Sequence, residues 1–94
     1  MTKGQAKSTV LIDNEKTRVV EWRFLPGDSV GHHRHGYDYV VVPIMDGKIR
    51  VIDSSGEKFN QLKIGVPYFR NAGVEHNVFN ANECEFAFIE VEFK

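Results

Sequence analysis

Nowhere in this chain do apolar residues recur at i, i+3, i+4 and i+7 over the roughly ten positions that a helix needs. Short stretches of apolar–polar alternation, separated by turn residues, run from end to end instead. Alternation of period two marks a strand with one buried face. Residues 10–12 read as a first short strand, ended by Asp13-Asn14. Residues 17–25 follow, with Val20, Trp22 and Phe24 on one face and Glu21 and Arg23 on the other, until Pro26-Gly27-Asp28 breaks the run. Residues 37–45 are nearly continuous in β-formers and lead into Asp46-Gly47, a strong hairpin dipeptide, so residues 48–53 are expected to pair back. Ser54-Ser55-Gly56 turns the chain again towards a weaker strand at 57–64. Gly65-Val66-Pro67 and Asn71-Ala72-Gly73 bracket another short strand, and residues 77–79 and 84–93 supply the last two. In the final run Ile89, Val91 and Phe93 share one side and Glu90 and Glu92 the other. Pro43 inside a strand implies an edge, a bulge or a bend, because proline donates no ladder hydrogen bond.

Some eight short strands at roughly 8–12-residue spacing, without a helix, describe an all-β sandwich or barrel. A barrel is favoured because closure removes exposed edges. With 94 residues there is room for one core, so residues 1–94 read as a single domain. A chain of this size buries only about 60–65% of its unfolded surface, a margin that self-association would improve. A net charge of −1, with both signs dispersed, lacks the basic face that nucleic acid requires. The N-terminal MTKGQAKST has no apolar signal region, and no apolar run approaches the ~18 residues of a membrane span. A lone cysteine, Cys84, fits a reducing, cytoplasmic setting and reads as a packed thiol.

Three of the four histidines fall in GHHRHG. On an extended strand His33 and His35 project to one face with Cα atoms about 6.8 Å apart, while His32 and Arg34 point away. Two imidazoles leaning together can share a transition-metal ion at about 2.0–2.1 Å from each nitrogen, and His76 is the candidate third ligand. The alternative is a polar stripe facing solvent.

The spacing resembles that of the cupin family over most of the chain. The first cupin motif is glycine, five residues, H-x-H, three or four residues, glutamate, six residues, glycine; here Gly27, His33-Arg34-His35 and Gly47 match. The second is glycine, five residues, P-x-G, two residues, histidine, three residues, asparagine; here Gly65, Asn71-Ala72-Gly73, His76 and Asn80 match. Asn71 replaces the proline, a turn-compatible change. The glutamate position falls on Val40 or Tyr39, neither of them a carboxylate, and Asp38 would need a local bulge to reach an ion. The segment HRHGYDYVVVP also resembles very short cupins, some linked by name to β-alanine degradation. The resemblance implies a jelly-roll, double-stranded β-helix barrel with His33, His35 and His76 as metal ligands.

Three neutral imidazoles would leave a divalent ion its full charge and open coordination positions, suited to an anionic ligand or bound hydroxide. Imidazole suits Zn, Fe, Ni and Cu alike, so the expected cofactor is a divalent transition metal, Fe, Zn, Ni, Mn or Cu, with no choice among them. Tyr39 could donate a hydrogen bond to a bound oxyanion or act as a general acid; alternatively, Tyr37 and Tyr39 pack against the barrel wall. Trp22, Phe24, Phe69, Phe79, Phe86 and Phe88 read as core or cavity lining, and Arg50 and Arg70 as candidate carboxylate binders. The functional expectation is a metal-dependent enzyme acting on a small organic acid or amine-derived metabolite, by oxygenation or Lewis-acid chemistry. The alternative is a non-catalytic module that binds a small ligand or metal. The expected protein partner is a second copy, giving a homodimer.

Overall fold

The alternation in the sequence resolves into nine strands among the described residues, 4–94 of a computed structural model: β1 (Lys7–Asp13), β2 (Thr17–Phe24), β3 (His33–Arg34), β4 (Asp38–Pro43), β5 (Gly47–Asp53), β6 (Gly56–Leu62), β7 (Tyr68–Arg70), β8 (Glu75–Asn80) and β9 (Phe86–Phe93). Residues 1–3, the start of the stretch read as lacking a signal region, lie outside the described residues. The strands form two antiparallel sheets, ordered β1-β2-β9-β4-β7 and β3-β8-β5-β6. Their inner faces close on one another in the all-β jelly-roll arrangement. Among the described residues no helix is long and apolar enough to cross a membrane.

Local turn chemistry explains two of the reversals. Asn14 Oδ1 accepts the backbone N–H groups of Lys16 and Thr17 at 2.9 and 3.0 Å, which fixes the β1–β2 hairpin. Asp53 Oδ1 accepts from the Ser55 N–H and hydroxyl at 2.9 and 2.7 Å, which fixes β5–β6. Asp46-Gly47 behaves differently from the hairpin expectation. β4 pairs with β7 and β9, whereas β5 pairs with β6 and β8, so the chain crosses here from one sheet to the other. The Asp46 carboxylate accepts the Ile64 N–H at 2.7 Å instead of closing its own turn. Gly47 lies against Phe86, where an added Cβ would fall 2.5 Å from a ring carbon. The glycine serves a close approach, and Pro43 marks the bend that ends β4.

Val20 and Phe24 on β2, Tyr39 and Val41 on β4, Ile49 and Val51 on β5, Val78 on β8 and Phe86 and Phe88 on β9 build the core. The Phe24 ring lies 5.4 Å from Phe88 and 6.4 Å from Phe86, tilted pairings that each add about 0.5–1.5 kcal/mol beyond area burial. Two aromatic expectations are corrected. Phe69 is 50% exposed, because its β7 position faces outward, and Phe79 alternates with buried Val78 and carries the Arg50 guanidinium 4.9 Å above its ring. Cys84 is exposed rather than packed, since β9 begins only at Phe86 and the thiol belongs to the preceding turn. Asn80 is buried and ties this end shut: its amide donates to the Phe24 and Cys84 carbonyls at 3.2 and 2.9 Å.

Candidate metal centre and cavity

β3 and β8 place the histidines. His33 and His76 are directly opposed in the β3–β8 register, and His35 follows β3 on the same face as His33. Backbone bonds pin that segment: the His35 N–H donates to the Val74 carbonyl at 2.9 Å and the Gly73 N–H to the His35 carbonyl at 2.8 Å. Gly73 adopts φ 95°, a left-handed conformation that glycine adopts without steric cost.

The three rings converge through Nε2. His33 and His35 are 2.9 Å apart at these atoms, and His35 and His76 are 3.2 Å apart. Nitrogens sharing one ion at 2.0–2.1 Å would stand roughly 2.9–3.4 Å apart, so the spacing fits a three-imidazole ligand set. The rings stand at steep angles to one another, 82°, 71° and 87°, so the three Nε2 atoms meet without the rings stacking. His33 Nδ1 donates to the Gly31 carbonyl at 2.7 Å, which leaves Nε2 as the free lone pair. His35 is 5% exposed. Burial, reinforced by His33 and His76, lowers its pKa to about 4, and burial followed by the influence of His33 lowers that of His76 to about 4. Both are neutral at physiological pH, the form that binds metal.

The remaining candidates separate cleanly. His32 is exposed and bonds Glu75 at 2.8 Å, away from the cluster. Asp38 is exposed and accepts the Ala72 N–H at 2.8 Å, on the outer face it shares with Val40. Asp38 therefore does not supply the missing carboxylate. Tyr39 takes the inward position. Its ring stacks on His35 at 3.8 Å and 19°, and burial raises its pKa, so the phenol keeps its proton. Tyr37 is exposed. Arg50 faces outward and pairs with Glu57, while Arg70 stacks on Tyr68 at 4.6 Å at the cavity rim. Arg34, expected on the surface, is exposed and also borders the rim.

The triad opens into a cavity of about 560 Å³ lined by Val20, Trp22, Tyr39, Val41, Tyr68 and Phe88 among others, with Glu90 and Glu92 on the same wall. These two acids are the site residues that the sequence reading did not single out. Both side chains are only 13% exposed, and Glu90 Oε2 lies 4.0 Å from His35 Nε2. Burial, then Glu92 beside it, raises the Glu90 carboxyl to about 7, partly offset by a hydrogen bond with Trp22. The signal was present in CEFAFIEVEF: Glu90 and Glu92 share parity with Phe86 and Phe88, the residues that β9 buries.

No family model matches the chain. It is 51% identical over 90 residues, 96% of its length and 95% of the relative's, to the β-alanine degradation protein BauB of Pseudomonas aeruginosa. A crystal structure of a cupin domain from Bordetella pertussis Tohama I is 49% identical and superposes with a TM-score of 0.96, covering 100% of this chain and 98% of that one. An RmlC-like cupin with a double-stranded β-helix fold from Methanocaldococcus jannaschii shares the fold at 14% identity and a TM-score of 0.79, over 96% and 81% of the two chains. The fold, both motif spacings and these relatives lead to one assignment: the chain belongs to the cupin family, among small cupins related to the β-alanine degradation protein.

Proposed function

We propose that this cupin is a metal-dependent enzyme acting on a small organic acid or amine-derived metabolite. The observation that carries the reading is the convergence of the His33, His35 and His76 Nε2 atoms at one wall of a 560 Å³ cavity. A divalent ion held there would supply Lewis acidity, or, as Fe²⁺, a centre for dioxygen chemistry. The chain's own residues do the rest. The apolar walls of Val20, Val41, Ile49 and Val51 keep water away from a bound ligand, and the protonated Tyr39 beside His35 can donate a hydrogen bond but not accept a proton. The relative's name places it in the degradation of β-alanine, a small amino acid well within the size of this cavity.

A second reading is favoured by Val40 and Tyr39, the two positions on which the family's glutamate could fall and neither of them a carboxylate: a barrel that binds a ligand or metal without turnover. Elemental analysis of untagged protein comes first, with about one Fe, Zn, Ni, Mn or Cu per chain expected. The His76→Ala variant should retain less than roughly a tenth of that, given the affinity lost with one of three ligands. Equal metal in variant and parent would refute the ligand set. Turnover of candidate acids with oxygen consumption followed then separates enzyme from binding module.

A further inference from the structure

We propose that Glu90 and Glu92 form an ammonium-binding subsite, so that the ligand of this cavity carries an amine as well as an anionic group directed at the histidines. This narrows the function proposed above and rests on it.

The arrangement of β9 is the first argument. Its alternation puts Ile89 and Val91 on one face and Glu90 and Glu92 on the other, and it is the acids that turn in: Val20 and Val41 flank Glu90, and Arg18 and Tyr39 flank Glu92, on the inner face. A one-residue slip would have buried the aliphatic pair and exposed the acids. Holding two carboxylates two residues apart on an apolar wall is unfavourable through both desolvation and like-charge repulsion. Such a cost persists where a ligand relieves it.

The second argument is what surrounds the acids. Among the described residues, no lysine or arginine nitrogen lies within 4.0 Å of a Glu90 oxygen; His35 is the nearest basic group, at 4.0 Å. Glu92 has one loose partner, Arg18, at 3.9 Å. Among the described residues, then, no fixed cation pairs with Glu90. Trp22, Tyr39, Tyr68 and Phe88 line the same space, and aromatic faces attract ammonium groups while repelling carboxylates. The cavity thus has two adjoining poles, imidazoles prepared for a cation and carboxylates prepared for an amine. Their closeness restricts the ligand to one whose amine and anionic groups are a few carbons apart.

The test uses calorimetric titration of untagged, Zn²⁺-loaded protein at about pH 8, above the ordinary carboxylate range. The probes are 4-aminobutyrate, butyrate and butylamine. The amino acid should bind roughly tenfold or more tightly than butyrate, the margin of one charged hydrogen bond. In the Glu90→Gln/Glu92→Gln variant the preference should shrink to about threefold or less while zinc stays near one per chain. A ratio near unity in the parent, or the full preference surviving in the variant, overturns the subsite. If the parent takes up no zinc, the metal reading fails separately. Butylamine on metal-free protein then decides: binding that the double variant abolishes supports the subsite, and no binding overturns it. The same comparison applies if only the variant loses zinc.

Discussion

At Glu90, burial between Val20 and Val41 and the nearby Glu92 carboxylate oppose ionisation together, and the carboxyl titrates near 7 in the folded chain. An unfolded glutamate titrates near 4.3. The folded state therefore holds the proton more tightly, so this group's contribution is complete below about pH 4.5 and is lost as pH rises through 7. His35 and His76 work in the opposite direction: with folded values of about 4 against 6.5 unfolded, their stabilisation is present above pH 6.5 and lost as pH falls towards 4. Glu90→Gln isolates the first effect, because both proteins share the histidines. In metal-free protein the variant should match the parent at about pH 4 and exceed it by on the order of 2 kcal/mol or more at about pH 8.5. Urea unfolding at the two pH values reads this directly. A difference that does not change with pH would show that the Glu90 carboxyl is not held proton-rich by the fold.

Among the elements, period-two alternation made nearly every strand legible, because a half-buried strand writes its two faces into the sequence. It could not say which face turns in. β2 and β9 pair along their whole length, yet β2 presents Val20 and Trp22 to the cavity and β9 presents Glu90 and Glu92. Hydrophobicity alone would reverse β9; only its parity with Phe86 and Phe88 gives the right answer. The His33–His35 juxtaposition was legible for the same local reason. The meeting with His76 depends on the long-range β3–β8 register; the sequence offers His76 only as the histidine left over for a third ligand, and the family's spacing supports that choice. Asp46-Gly47 misled because its glycine answers a tertiary demand, the approach of Phe86, and not a turn. That distinction can be measured. Gly47→Ala should cost about 1–3 kcal/mol, as overpacking a filled core does, since its Cβ would meet buried Phe86. Gly36→Ala, with nothing within 4 Å of its Cβ and no positive φ, should stay within about 0.5 kcal/mol of the parent. Denaturant midpoints that fall equally for both would place the constraint at Gly47 in the backbone and not in the ring beneath it.

For the molecule as a whole, the outer face of the five-stranded sheet poses the opposite problem from its interior. Strand register lines up Ile12, Val19, Val91, Val40 and Phe69 in one row across all five strands, with Ile89 and Val42 beside it. Ile12 and Phe69 at the ends of the row are exposed, and the valines between them are half-buried. A continuous apolar row is unusual on a small monomer's surface and marks a contact. We propose a second copy of the chain as its occupant. The row is uncharged, and beside it Arg23 pairs with Glu21 at 3.0 Å while Asp38 is tied to the Ala72 N–H, so the charges at its margin already have partners within the chain. A 94-residue core also gains from covering such a face. Light scattering should give about twice the 10.8 kDa chain mass. Val91→Glu, at the centre of the row and outside the cavity, should return the mass to a single chain without loss of β-sheet circular dichroism, because a pair of buried, facing carboxylates is not tolerated. A parent that runs as a 10.8 kDa monomer would remove the dimer outright. A dimer that survives Val91→Glu would move it to another surface, leaving the exposed row to be explained by a different partner.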